Sequence, residues 1–92
     1  MGFTKESAVD AAKNDLAKRL NLEPNDIKVS GTSDEDFPDM SLGAAEKGEM
    51  SAQMISSGWT ISLDAGGKNY EYRGDKYQLR LKNFNGKNVK VG

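Results

Sequence analysis

From Gly58 to Tyr72 large apolar residues alternate with small and polar ones, and this stretch organises the reading of the whole chain. Trp59, Ile61 and Leu63 fall on one face of a predicted strand and Thr60, Ser62 and Asp64 on the other, because side chains alternate along an extended backbone. Gly66-Gly67 supplies the positive φ angles of a tight reversal, and Tyr70 and Tyr72 resume the alternation on the return strand. A β-hairpin with its large residues on one side follows.

The period changes in residues 5–20. Ala8, Val9, Ala12, Leu16, Ala17 and Leu20 recur at three- and four-residue spacings, which predicts a helix with one apolar stripe. Ser7 followed by Asp10 has the shape of a capping box, and Thr4 is a competing cap. Asp15 can pair with Arg19 one turn on, and Pro24 forbids continuation. A helix with one apolar face must lie on something, and the sheet is the available surface.

Ile27 and Val29 read as a short strand. Residues 31–48, rich in Gly, Ser, Asp and Glu with Pro38 inside, read as a long ordered loop. Residues 49–55 return to strand, with Met50, Ala52 and Met54 on one face. Arg73-Gly74-Asp75 marks another reversal, and Tyr77, Leu79 and Leu81 alternate with Gln78, Arg80 and Lys82. Asn85-Gly86 is a two-residue turn signal, so 83–92 is a short hairpin strand or a frayed tail. The predicted fold is α+β: one N-terminal amphipathic helix packed on a four- to five-stranded antiparallel β-meander. It forms a single domain over 1–92 with its ordered core at about 5–82. The expected core is Leu16, Leu20, Ile27, Val29, Met54, Trp59, Ile61, Leu63, Tyr70, Tyr72, Leu79 and Leu81.

Composition narrows the chemistry. The chain has no cysteine and no histidine, which excludes disulfides, thiolate nucleophiles and imidazole acid–base catalysis. No stretch approaches the roughly 18 apolar residues of a membrane span, and no apolar block follows a charged N-terminus. The expectation is therefore no membrane insertion and no signal segment in the sequence as given. A net charge of −1 hides a division: residues 1–64 carry 6 basic and 12 acidic side chains, residues 65–92 carry 7 basic and 2 acidic. The favoured reading is that the two halves pack together and neutralise each other. The basic residues are spread along alternating strands, so nucleic acid is not an expected partner.

The candidate sites are weighed against simpler readings. Asp34, Asp36, Asp39 and Ser41 could gather oxygens around a calcium ion, but the EF-hand spacing fails at Pro38. The favoured reading is that Asp39 and Ser41 cap loop amides, with Phe37 and Leu42 pinning the loop to the sheet. Arg73-Gly74-Asp75 spells an adhesion tripeptide, yet any tight turn uses Gly and Asp for geometric reasons. Gly66-Gly67-Lys68 lacks the spacing of a phosphate loop. Met40, Met50 and Met54 could line an adaptable surface, with core filling favoured. Ser41 has no histidine to activate it, and no enzymatic activity or cofactor is expected.

Several stretches together resemble a known group. Asp15-Leu16-Ala17-Lys18-Arg19-Leu20, Phe37-Pro38-Asp39-Met40-Ser41-Leu42-Gly43, Ala52-Gln53, Gly58-Trp59-Thr60-Ile61 and Tyr70-Glu71-Tyr72 are similar, in this order, to a family of small uncharacterised prokaryotic domains. The likeness covers about residues 8–81. It implies a domain often exported behind signal or lipoprotein leaders, with no assigned enzymatic activity. The layout also resembles, distantly, PepSY-type modules. Many relatives carry cysteine after the Leu-Gly of the loop and another near the end of the last main strand. Here Ala44 stands at the first position and residues 77–82 have none. The resemblance thus implies a looser loop, or a compartment where disulfides are not made, and weakens the extracytoplasmic expectation.

Three functions fit these features. The first is a non-enzymatic, monomeric binding module that presents the acidic 33–49 loop, with Phe37, Pro38, Asp39, Met40, Ser41, Leu42 and Gly43 as the partner-binding segment. The second is a peptidase inhibitor or propeptide-like module acting through 38–43. The third is a small calcium-binding protein using Asp34, Asp36, Asp39 and Ser41.

Overall fold

The computed structural model describes residues 2–92. One helix, α1 (Lys5–Leu20), is followed by a short 3₁₀ turn (Pro24–Asp26) and five strands: β1 (Lys28–Phe37), β2 (Ser56–Ala65), β3 (Lys68–Gly74), β4 (Leu79–Phe84) and β5 (Lys87–Lys90). The strands pair antiparallel in chain order, β1-β2-β3-β4-β5, which is the expected α+β meander with five strands. Its radius of gyration, 12.5 Å, is that of one domain of this length.

The helix begins where Thr4 accepts a hydrogen bond from the Ser7 amide at 3.1 Å, while the Thr4 amide donates to the Ser7 hydroxyl at 2.9 Å. Thr4, not Ser7, is therefore the cap, and Ser7 reciprocates in place of the usual acid. The helix ends at Asn21, whose left-handed φ of 57° closes the last turn. Ala8, Ala12 and Leu16, four residues apart, and Ala17 beside Leu16 lie buried along one stripe. The small alanines let the helix approach the sheet closely.

Register decides which strand residues meet that stripe. Ile61 stands opposite Tyr72, and Tyr72 opposite Leu81; Leu63 stands opposite Tyr70, and Gly74 opposite both Trp59 and Leu79. These residues share the helix side of the sheet, where Ile61, Leu63, Tyr72, Leu79 and Leu81 are buried and Trp59, Tyr70 and Leu20 pack at the margin. Tyr72 fastens helix to sheet: its hydroxyl donates to Asp15 at 2.7 Å, and Asp15 also accepts from Arg19 Nε at 2.7 Å. Burial, and next the bond to Asp15, push the Tyr72 phenol well above its ordinary pKa.

Several expectations need correction. The acidic stretch 31–37 is not loop but the outer part of β1, which continues past a bulge between Val29 and Gly31. Residues 49–55 are not a strand. Both edges of β2 are already taken by β1 and β3, so the segment cannot pair with the strand that follows it. Met54 and Met50 accordingly lie outside the core, 63% and 96% exposed, and so are not core filling. Val29 is 43% exposed, because the helix lies over β2, β3 and β4 and leaves β1 largely uncovered. Of the two alternatives for residues 83–92, the short hairpin strand is the one found: β5 pairs with β4, and Val91 N donates to Leu79 O at 2.8 Å.

Replacing the fully buried Leu16 by alanine is expected to cost about 2–5 kcal/mol in urea unfolding, as cavities in tight cores do. Val29→Ala and Met54→Ala should each stay within about 0.5 kcal/mol of the parent, the range of exposed positions. A loss at Val29 or Met54 matching that at Leu16 would contradict the core assigned to the helix side.

Candidate functional site

The far face of the sheet carries polar side chains, and the register aligns them in rows. Thr60 stands opposite Arg73, Arg73 opposite Arg80, and Arg80 opposite Lys90, so three cations follow one another across β3, β4 and β5. Like charges on adjacent strands repel, and a buried guanidinium must find acceptors. Residues 38–49 supply them by folding over this face.

Arg80, only 2% exposed, is the centre of the arrangement. Its Nη1 and Nη2 donate to the two carboxylate oxygens of Glu49 at 2.5 and 2.6 Å. Nη1 also reaches the Ala44 carbonyl at 3.3 Å, and Nε donates to Gln78 Oε1 at 2.7 Å. Arg73 donates to Glu71 at 2.7 Å and to the Leu42 carbonyl at 2.8 Å, while its guanidinium lies 5.3 Å from the centre of the Phe37 ring. Gln78 Nε2 holds the Met40 carbonyl at 2.6 Å, and Asn88 Nδ2 holds that of Ala45 at 2.8 Å. Glu46 accepts from the Lys90 amide at 3.3 Å. Beneath this net Phe37, Ser41, Leu42 and Ala44 are buried in a small second core.

Within the loop, one oxygen of Asp39 accepts from the Ser41 hydroxyl at 2.7 Å and from the amides of Ser41 and Gly43 at 3.0 and 3.1 Å. The Gly43 amide, and after it the Ser41 hydroxyl, lower the Asp39 pKa. Leu42 and Gly43 both take left-handed φ angles, 61° and 66°, which turn the chain back onto the sheet. The left-handed φ favours glycine at Gly43, and a Cβ there would also displace Arg73 Nη1.

The structure therefore redistributes the candidate residues. Phe37 and Leu42 anchor the loop and Asp39 and Ser41 cap its backbone, as the favoured reading has it. Of the seven residues offered for partner binding, Phe37, Ser41 and Leu42 are spent inside, Asp39 and Gly43 are partly covered, and Pro38 and Met40 are exposed. The loop is held against the sheet by Arg73 and Arg80, and Pro38 and Met40 are its outward-facing residues in this segment. It is not loose for want of cysteine: the Arg80–Glu49 pair and the carbonyl contacts fasten it. Asp34 and Asp36 sit exposed on β1, pairing with Lys5 at 2.9 Å and accepting from Ser57 at 2.8 Å, while Asp39 turns into its own loop. Asp34, Asp36, Asp39 and Ser41 do not converge, and among the described residues no three acidic groups could hold a metal ion. Asp75 of the adhesion-like tripeptide is buried, accepting from the amides of Tyr77 and Gln78 at 2.8 and 3.0 Å.

Arg73, Gln78, Arg80, Glu49 and Asn88 escaped the sequence reading. The alternation in Leu79-Arg80-Leu81 puts Arg80 on the face away from the helix, but local pattern does not say that this face is covered. The opposed charges of the two halves were the available signal.

A helix on one side of a five-stranded meander and a charge-fastened loop on the other define a small three-layer α+β domain. Residues 9–82 match a domain of unknown function, DUF8738, and the chain belongs to that family. Neither the curated proteins nor the solved structures contain a match to it. No helix among the described residues is long and apolar enough to cross a membrane.

Glu49 ties the loop to pH. Arg80, then the Glu46 amide, lower its pKa from an ordinary 4.5 to about 2. A depressed folded-state pKa contributes stability above pH 4.5 that is lost as pH falls toward 2. Glu49→Gln is therefore expected to be less stable than the parent at pH 7, by about 1–3 kcal/mol for a charged hydrogen bond to a buried group. The gap should close between pH 4.5 and pH 2 in urea titrations. A gap independent of pH would refute the assignment.

Proposed function

We propose that this domain is a monomeric protein-binding module, without chemistry of its own, that receives an extended basic segment of a partner along the free edge of β1. The carrying observation is the state of that strand. β1 is ten residues long, stands at the end of the strand order, and has nine exposed residues. An open edge presents unpaired backbone donors and acceptors that an added strand can satisfy.

Charge selects the occupant. Asp34, Glu35 and Asp36 are consecutive and exposed along the edge strand. The Asp34 side chain remains 81% exposed even while paired with Lys5, and a surface pair of this kind is readily exchanged for another cation. Lysine or arginine side chains on an added strand would meet these carboxylates, whereas an acidic segment would be repelled.

The peptidase-inhibitor reading draws support from the fixed conformation of residues 38–43, which such a loop needs. Against it, Ser41 and Leu42 point inward, leaving Pro38 and Met40 to meet a cleft. It stands second.

The test is a titration of ¹⁵N-labelled protein with a ten-residue peptide alternating lysine and valine. Shifts are expected along residues 28–37, weakened by added salt and abolished when alternate peptide nitrogens are methylated. Shifts confined to residues 38–43 would favour the inhibitor reading instead. Binding indifferent to N-methylation would rule out strand addition.

A further inference from the structure

The geometry points to a binding site for an anionic saccharide in a notch between β3 and β4, on the other side of the sheet from the β1 edge and independent of it. The β3–β4 ladder runs from the Glu71–Lys82 pair to the Gly74–Leu79 pair, although β3 starts at Lys68 and β4 continues to Phe84. The strands part beyond Lys82, where Asn83 takes a left-handed φ of 56° and the β4–β5 register shifts between Leu81 and Phe84. The Asn83 amide then donates to Asn88 Oδ1 at 2.9 Å. What opens is a cleft of about 540 Å³, within the size range of small-molecule sites.

Its lining is chemically selective. Lys68 stands on one side and Lys82 on the other, and neither enters a salt bridge among the described residues. The one carboxylate in the lining, Glu71, is held by Arg73 at 2.7 Å, so its charge is already answered. Lys68 and Lys82 thus line the cleft without a salt bridge, beside a single carboxylate that Arg73 already holds, which suits a carboxylate, sulfate or phosphate. Asn83 and Asn85 add exposed carboxamides that can both donate to and accept from hydroxyl groups. Tyr70 and Phe84, half-buried with ring centres 6.1 Å apart, also line the cleft; the Arg19 guanidinium lies 5.6 Å from the Phe84 ring centre, so Tyr70 is the ring left to meet the apolar face of a sugar. Paired cations, free amides and an aromatic ring together match a sugar that carries an acidic group better than a bare anion or a neutral sugar.

The experiment titrates the labelled full chain separately with glucuronate, glucose 6-sulfate and glucose 6-phosphate, using glucose and inorganic phosphate as controls. At least one acidic sugar is expected to give saturable shifts confined to residues 68–71 and 82–86, and the responding arm identifies the anion. Glucose and inorganic phosphate should leave these residues unmoved at the same concentration. Lys68→Gln with Lys82→Gln should weaken binding by about ten-fold or more, the worth of a charged hydrogen bond. Asn83→Gly with Asn85→Gly should weaken it too while keeping the fold, since glycine accepts both left-handed angles. No shift with any of the three sugars, equal shifts with inorganic phosphate, or undiminished binding in both double variants would overturn the proposal.

Discussion

The architecture turns on two arginines side by side on adjacent strands, Arg73 and Arg80, whose largely covered guanidinium groups must be paired. Neighbouring strands lie about 5 Å apart, so the in-register placement of Arg73, Arg80 and Lys90 sets three positive charges side by side. In water such a row would be tolerable. Once Arg80 is buried it is not, because an uncompensated interior charge costs several kcal/mol. The solution is a loop whose carboxylates and carbonyls converge on the guanidinium groups: Glu49 in both oxygens, the carbonyls of Leu42 and Ala44, and Gln78 between the strands. Eighteen residues without regular structure would be unusual in so small a domain, since their backbone needs partners. Here the loop's backbone is itself the partner.

Fixing the loop has a second consequence. With its carbonyls drawn to the arginines, Phe37, Leu42 and Ala44 are pressed against a sheet face that would otherwise be entirely polar. The Phe37 ring lies against the Arg73 guanidinium, so one side chain serves the electrostatic layer and the apolar one at once. The helix side works by a different rule. There the packing is aliphatic and aromatic, and its polar element is the Tyr72–Asp15–Arg19 chain at the rim. The two faces meet different physical demands, which is why one is made by periodicity and the other by charge.

That difference explains what could be read in advance. The helix and the central hairpin are legible because Ala8, Ala12 and Leu16, or Trp59, Ile61 and Leu63, repeat at the spacing of their element and face one core. The outer half of β1 is illegible by the same criterion: with both faces in solvent, Ser33 to Asp36 need no alternation and look like loop. Residues 49–55 mislead in the opposite direction. Met50, Ala52 and Met54 alternate, but a pattern cannot reveal that β2 has no free edge left. The loop's anchors, Phe37 and Leu42, and its caps, Asp39 and Ser41, could be read from local chemistry. Their destination could not, since Arg73 and Arg80 lie more than thirty residues away and are joined to them by register alone.

A sheet covered on both faces has few places left at which to meet another molecule. The helix occupies one side and the loop the other, with Ser41, Leu42 and Ala44 turned to the sheet and Pro38, Met40, Glu46 and Lys47 left exposed. What stays open is backbone at the margins: the long edge of β1 and the gap where β3 and β4 separate. These margins differ in sign, carboxylates along β1 and ammonium groups at Lys68 and Lys82, although the chain as a whole is nearly neutral. Among the described residues one ion pair, Arg80–Glu49, joins the acidic and basic halves, while Lys5–Asp34, Arg19–Asp15 and Arg73–Glu71 each form within one half.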